Sequence, residues 1–147
     1  VATVLVEVVI PFRAVPERKR QRPYQDRETG KTMQGPRTDE PRQKAWKEGA
    51  VPFMRQAMRK AGHTAPFDFP LRVLITRRRP VPKKPSATVP DLRFDTATPD
   101  CDNFGKICGD AGNGVLWVDD RLIVENTQRK EFGLEECLIV TVWKAMP

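Results

Sequence analysis

Hydrophobic positions in this chain gather in a few short stretches separated by long polar runs. Val1–Ile10 is dense in β-branched residues and predicts a buried opening strand rather than a secretory leader, since it has no basic start and contains Glu7. Trp46, Ala50, Phe53 (or Met54), Ala57 and Ala61 recur at helical spacing and should face the core. Thr38 or Asp39 would cap this helix, Pro41 would lie in its first turn, and Pro52 should kink or split it before about Gly62. His63, just beyond, reads as a surface residue. Leu71, Val73 and Ile75 mark a second strand running into Arg77-Arg78-Arg79. A short helix follows Asp102, then the apolar run Val115–Val118. Two closing strands, Arg121–Phe132 and Glu136–Lys144, are joined by a turn around Gly133. In the last strand Leu138, Val140 and Val142 alternate with Ile139, Thr141 and Trp143, which predicts that both its faces are covered. The sum is one α+β domain over residues 1–147, a mixed sheet of about four strands with two or three helices.

The polar runs change that picture in one respect. Residues 11–40 contain Pro16, Pro23, Gly30, Gly35 and Pro36, and residues 80–98 contain Pro80, Pro82, Pro85 and Pro90. Both predict long extended loops, and loops of that length in a small domain are more often functional than incidental. The 14 prolines are about twice the usual share. No apolar run reaches the roughly 20 residues needed to cross a bilayer, so no membrane partner is expected. Cys101, Cys108 and Cys137 are odd in number and form no Cys-x-x-Cys pair, which favours a reduced, cytoplasmic setting and inert thiols over a zinc site.

Charge divides the chain. Residues 1–84 carry 20 Lys/Arg against 8 Asp/Glu, a balance of +12, while residues 85–147 carry 6 against 11, a balance of −5. The basic half suits a polyanion. Arg18, Lys19, Arg20 and Arg22 beside Tyr24 combine phosphate contacts with a stacking ring. Arg77, Arg78, Arg79, Lys83 and Lys84 form a second basic group. The plainer alternative for each is a solvated charge run.

Against this background, Asp100-Cys101-Asp102-Asn103-Phe104-Gly105-Lys106 and Asp119-Asp120 stand out, because clustered carboxylates repel unless a cation or proton intervenes. They do not form a calcium loop. With Asp100 as position one, positions five and twelve are Phe104 and Ala111, where oxygen ligands are required. Gly112-Asn113-Gly114 lacks the lysine and spacing of a phosphate loop, so no small-molecule cofactor is expected. Asp100 and Asp102 alternate at a helix entrance, and Asp102 and Lys106 share one helical face. The Asp119-Asp120 pair would add a third carboxylate. Such hard oxygen donors favour Mg2+, with Mn2+ as a substitute. Lys106 would neutralise charge that builds on a phosphate. Taken singly, the first motif is more often a helix cap and the second a turn than part of a catalytic site; their co-occurrence with Lys106 in a basic chain shifts that balance. Gly105, Gly109 and Gly112, each costing about 1 kcal/mol relative to alanine inside a helix, predict that the helix is short or frayed.

The run from Asp100 to Asp120, with Asp-x-Asp-Asn-x-x-Lys, Asp110-Ala111 and Trp117-Val118-Asp119-Asp120, resembles the RusA family of Holliday junction resolvases, small metal-dependent endonucleases of bacteria and phages. The order of strands, helices and basic loops agrees across nearly the whole chain. The resemblance implies a cytoplasmic homodimer that binds four-way DNA junctions and nicks two opposed strands with magnesium. It implies Asp100, Asp102 and Asp120 as metal ligands, Lys106 as the essential lysine and Asp119 as an adjacent acid. A nuclease acting on flaps or forks, and a non-catalytic nucleic-acid-binding protein, are the competing readings.

Overall fold

The computed structural model describes residues 2–13, 19–20, 22–35, 38–39, 41–83, 94–97 and 100–147, with the backbone alone for Lys19, Arg20, Thr38, Asp39 and Asp102. In chain order the elements are β1 (Val4–Ile10), β2 (Lys19–Arg20), β3 (Pro23–Gln25), β4 (Thr32–Gln34), β5 (Thr38–Asp39), α1 (Pro41–Lys60), β6 (Leu71–Arg79), α2 (Cys101–Gly112), a 3-10 turn (Asp120–Leu122), β7 (Ile123–Phe132) and β8 (Cys137–Lys144). Four strands form a mixed sheet in the order β1-β8-β6-β7. β8 lies antiparallel to both β1 and β6, while β6 and β7 are parallel. Parallel neighbours need a crossover, and α2 lies in the connection that supplies it. The expected small α+β domain, with a four-stranded mixed sheet and two helices, is therefore observed.

β7 and β8, although consecutive, are not neighbours, because β6 lies between them. Their link passes over the end of β6, where the Gly133 amide donates to Arg79 O at 3.0 Å. A Cβ at 133 would run into the Arg78 side chain, which would have to shift to admit it.

One face of the sheet carries the core. Val6, Val8 and Ile10 of β1, Leu71, Val73 and Ile75 of β6, and Leu138, Val140 and Val142 of β8 are buried against both helices. From α1 the buried residues are Gln43, Trp46, Ala50, Met54 and Met58, a 3-4-4-4 spacing. Of the alternatives Phe53 and Met54 the stripe takes Met54, and it corrects the end of the pattern: Met58 faces the core, whereas Phe53 and Ala57 flank it and Ala61 is exposed. Nor does Pro52 split the helix, which runs unbroken from Pro41 to Lys60 with Pro52 on the exposed side. His63 is half-buried rather than superficial; its Nε2 lies 2.9 Å from Leu5 O and its ring stands edge-on to Phe67.

The described parts of residues 11–40 contain short strands that their composition does not predict. β3 pairs with β4 and β2 with β5, making a hairpin arm. Its tip is built by Asp26, whose Oδ1 accepts from the amides of Glu28 and Thr29, and by Gly30 at φ +67°, a conformation that suits glycine. Every residue of β3 and β4 is exposed, so no apolar alternation announces the strands. Phe12 fixes the base of the arm by edge contacts with Trp46 and Phe53.

The glycines of α2 are the main departure from expectation. They do not fray the helix, which spans 12 residues. Spaced by four and three, they form a groove: a Cβ at Gly105 would meet the Gln128 side chain, and one at Gly112 would meet the Trp117 ring. The Trp117 indole N–H also donates to Gly109 O at 3.2 Å. Gly112→Ala is expected to destabilise the protein by about 1–3 kcal/mol, because overpacking a fully buried ring outweighs the gain in helix propensity. At Gly109 a Cβ would make only an ordinary 3.7 Å contact with Asp120, so Gly109→Ala should be neutral or stabilising by up to about 1 kcal/mol. Urea unfolding of the two variants decides the point; equal stabilities would refute it.

Candidate active site

Asp120 meets the side of α2 because three elements are pinned to one another. Phe67 N donates to Leu116 O and Val118 N to Phe67 O, at 2.9 and 3.0 Å, which fastens the 115–118 segment beside β6. Trp117 wedges that segment against α2. The chain then turns through Asp119, whose Oδ1 accepts from Arg121 N at 2.9 Å and caps the 3-10 turn. Asp120 is thereby set over Gly109 of α2. Positions 102, 106, 109 and 113 share a helical face, so Asp120 approaches the side of α2 on which Asp102 and Lys106 reside.

Asp120 belongs to a group of acids. Partial desolvation pushes its carboxyl above the usual range, and the charges of Asp110 and Asp119, with a hydrogen bond that protonated Asp120 donates to Asp119, add to that shift. Asp110 is held in turn by Lys47 of α1, whose Nζ lies 3.1 Å from Oδ2. Neither Asp110 nor Lys47 was singled out for a role in the sequence. Asp110 was detectable, being four residues after Lys106 on the same helix. Lys47 was not, because only the packing of α1 on α2 brings it there.

Asp100 occupies the N-cap position of α2 with an extended backbone, but its side chain makes no capping hydrogen bond. The bland reading of this aspartate as a helix cap is thus not what its carboxylate does. Lys106 is exposed on the first turns of α2. The side chain of Asp102 lies outside the described atoms. Among the described residues, no three His, Cys, Asp or Glu side chains are grouped as a ready metal cage. The donor set nevertheless suits a hard cation: the group is all carboxylate, and the repulsion felt by Asp120 is what a bound cation relieves.

The basic residues divide sharply. Arg22 and Tyr24 are exposed on the hairpin arm, and Lys83 is exposed after β6. β2 carries Lys19 and Arg20, while Arg18 and Lys84 lie outside the described residues. Arg77 must be withdrawn from the DNA-contact set, because it is 1% exposed and ion-paired with Asp95. Arg78 is bonded to Glu131 and Arg79 to Asp95, and both side chains stay partly exposed. The triple-arginine run looks like a basic patch, but alternation in β6 turns its members to opposite faces and buries Arg77. Asp95 itself had no sequence signal. Its segment adds to the outer edge of β7, with Phe94 opposite Glu131 and the Lys130 ammonium donating to Ala97 O at 2.7 Å.

Among the described residues no helix is long and apolar enough to cross a membrane. The family model of endodeoxyribonuclease RusA matches residues 11–142 of the chain. No curated protein matches it.

Proposed function

The chain belongs to the RusA endodeoxyribonuclease family, and on that footing we propose that it is a magnesium-dependent resolvase that nicks opposed strands of four-way DNA junctions in recombination and repair. The observation that carries the reading is the seating of Asp120 over Gly109, on the face of α2 that includes positions 102 and 106. Asp100, Asp102 and Asp120 would hold the cation, which when bound polarises the scissile phosphate and activates water. Manganese, with the same preference for oxygen donors, would substitute.

The remaining roles fall to the protein's own side chains. Lys106 neutralises charge gathering on the phosphate or the leaving oxygen. Asp119 fixes the turn that presents Asp120. Lys47 holds Asp110, which limits the excess negative charge beside Asp120. Arg22 and Tyr24 on the arm, with Arg18, Lys19, Arg20, Lys83 and Lys84, engage phosphates and bases away from the cut. A two-fold homodimer supplies paired sites for paired incisions.

The test is a labelled synthetic four-way junction incubated with protein and magnesium, beside linear duplex, flap and fork. Paired, symmetric nicks in the junction that disappear with a chelator are expected. Cleavage confined to flaps or forks would transfer the activity to those substrates. Salt-sensitive binding with no cleavage in any metal would leave a non-catalytic binding protein.

A further inference from the structure

A basic cleft at the far end of α1 has no part in the site described so far. It is lined by Arg55, Met58, Arg59, His63, Thr64, Gly114 and Val115, together with Ala65 and Pro66, and encloses about 210 Å³. At about 30 Å³ per water that is room for roughly seven waters, ample for a phosphodiester group. Two guanidinium groups border it and, among the described residues, no carboxylate does. The larger grooves along the sheet, by contrast, include Glu7, and one of them also Glu131 and Glu135.

The cleft also lies in the right place. Arg55 and Arg59 are one helical turn apart on α1, two and three turns beyond Lys47 toward its C-terminal end. Lys47 reaches Asp110 of α2, while Arg55 and Arg59 face Gly114 and Val115, just past the end of α2. One turn of α2, about 5.4 Å, and a tight bend separate Gly114 from Gly109, over which Asp120 sits. Successive phosphates of one strand advance about 3.4 Å along a duplex axis, so a strand cut beside Asp120 brings a phosphate a few nucleotides away to this cleft. Arg55 and Arg59 are exposed and, among the described residues, enter no ion pair, so their charge is available.

We propose that Arg55 and Arg59 form a phosphate-binding subsite for the DNA strand flanking the scissile bond, seated in the cleft between the end of α1 and the turn after α2. The proposal rests on the nuclease reading above and adds a DNA contact that the sequence did not suggest. Guanidinium groups suit it, since they bind phosphate oxygens in a planar fork. The cleft holds backbone and reads no base, so it orients the strand without conferring sequence preference.

The test measures junction binding without magnesium, across a salt series, for wild type, Arg55→Gln/Arg59→Gln, and Arg42→Gln/Lys60→Gln. The last pair removes the same charge from the opposite flank of α1. The Arg55/Arg59 pair should weaken binding about tenfold and reduce the salt slope by about 2, while the control pair changes neither. Equal losses in both pairs would mean that only net charge matters, and wild-type affinity in the Arg55/Arg59 variant would mean that the cleft is not used; either overturns the proposal. If wild-type protein neither binds nor nicks the junction, the nuclease reading fails, and the subsite with it. Unchanged thermal melting of both variants shows that any loss is one of contact and not of fold.

Discussion

Asp120→Asn is expected to slow junction nicking by on the order of 10³-fold, the largest effect of any single change at the site. Asparagine keeps the size of the side chain and its seat over Gly109 but removes the charge offered to a cation. A second readout needs no substrate. The Asp120 carboxyl is pushed above its usual range by desolvation and by Asp110 and Asp119, so the folded protein takes up a proton there more readily than the unfolded chain does. The ionised group therefore opposes folding, and stability falls as pH rises through that range. The variant lacks this penalty, and without metal at neutral pH it should melt higher than wild type. Magnesium should then raise the melting temperature of wild type more than that of the variant. Nicking within threefold of wild type, or a lower melting temperature without metal, would contradict the assignment of Asp120.

Loss of Asp95 should give the largest change in stability. Its side chain and that of Arg77 are each 1% exposed, and Arg79 donates to Oδ1 at 2.7 Å while the Ala97 amide donates to the same oxygen at 3.0 Å. Truncating Asp95 removes the nearest counter-charge of a buried arginine, so Asp95→Ala is expected to cost about 3–5 kcal/mol. For a chain of this size that lowers the melting temperature by roughly 10 °C. Arg77→Met added to Asp95→Ala should recover part of the loss, since the fully buried charge that lost its nearest counter-charge is then gone too. The pH dependence has a defined sign. Burial alone would push the Asp95 carboxyl up, but the bond from Arg79, the Ala97 amide and the two arginine charges outweigh it and hold it below its usual value. Its contribution is therefore present above the unfolded aspartate value of 3.8 and fades as pH falls below that toward the folded value. Acid unfolding of wild type and Asp95→Ala should thus converge at low pH; a constant gap down to the acid transition would refute this.

These two residues differ in how far the sequence exposed them. Asp120 was legible because it ends the Trp-Val-Asp-Asp run and stands out in an acidic pair within a basic chain. Asp95 was not, because it is a lone acid in a proline-rich stretch and its partners are strand residues 16 and 18 positions earlier. The same contrast holds elsewhere. α1 was legible from its 3.6-residue periodicity, but the final turn of its buried stripe was set by how β1 and α2 pack on it, which chose Met58 over Ala61. The hairpin arm escaped notice because it has no buried face and so no alternation to read.

By itself the sequence determined the number and order of the main strands and helices, the mixed α+β class, the acidic motif and the basic half that opposes it. These follow from local periodicity, turn chemistry and charge, which are properties of neighbours along the chain. Tertiary structure alone decided what the glycines of α2 are for, that Lys47 and Asp110 join the acids, and that Arg77 is a buried counter-ion. Those facts depend on which distant surfaces come within a few ångströms of one another. A glycine that weakens a helix in isolation becomes the one residue small enough to admit Trp117 once the sheet has brought that ring to it.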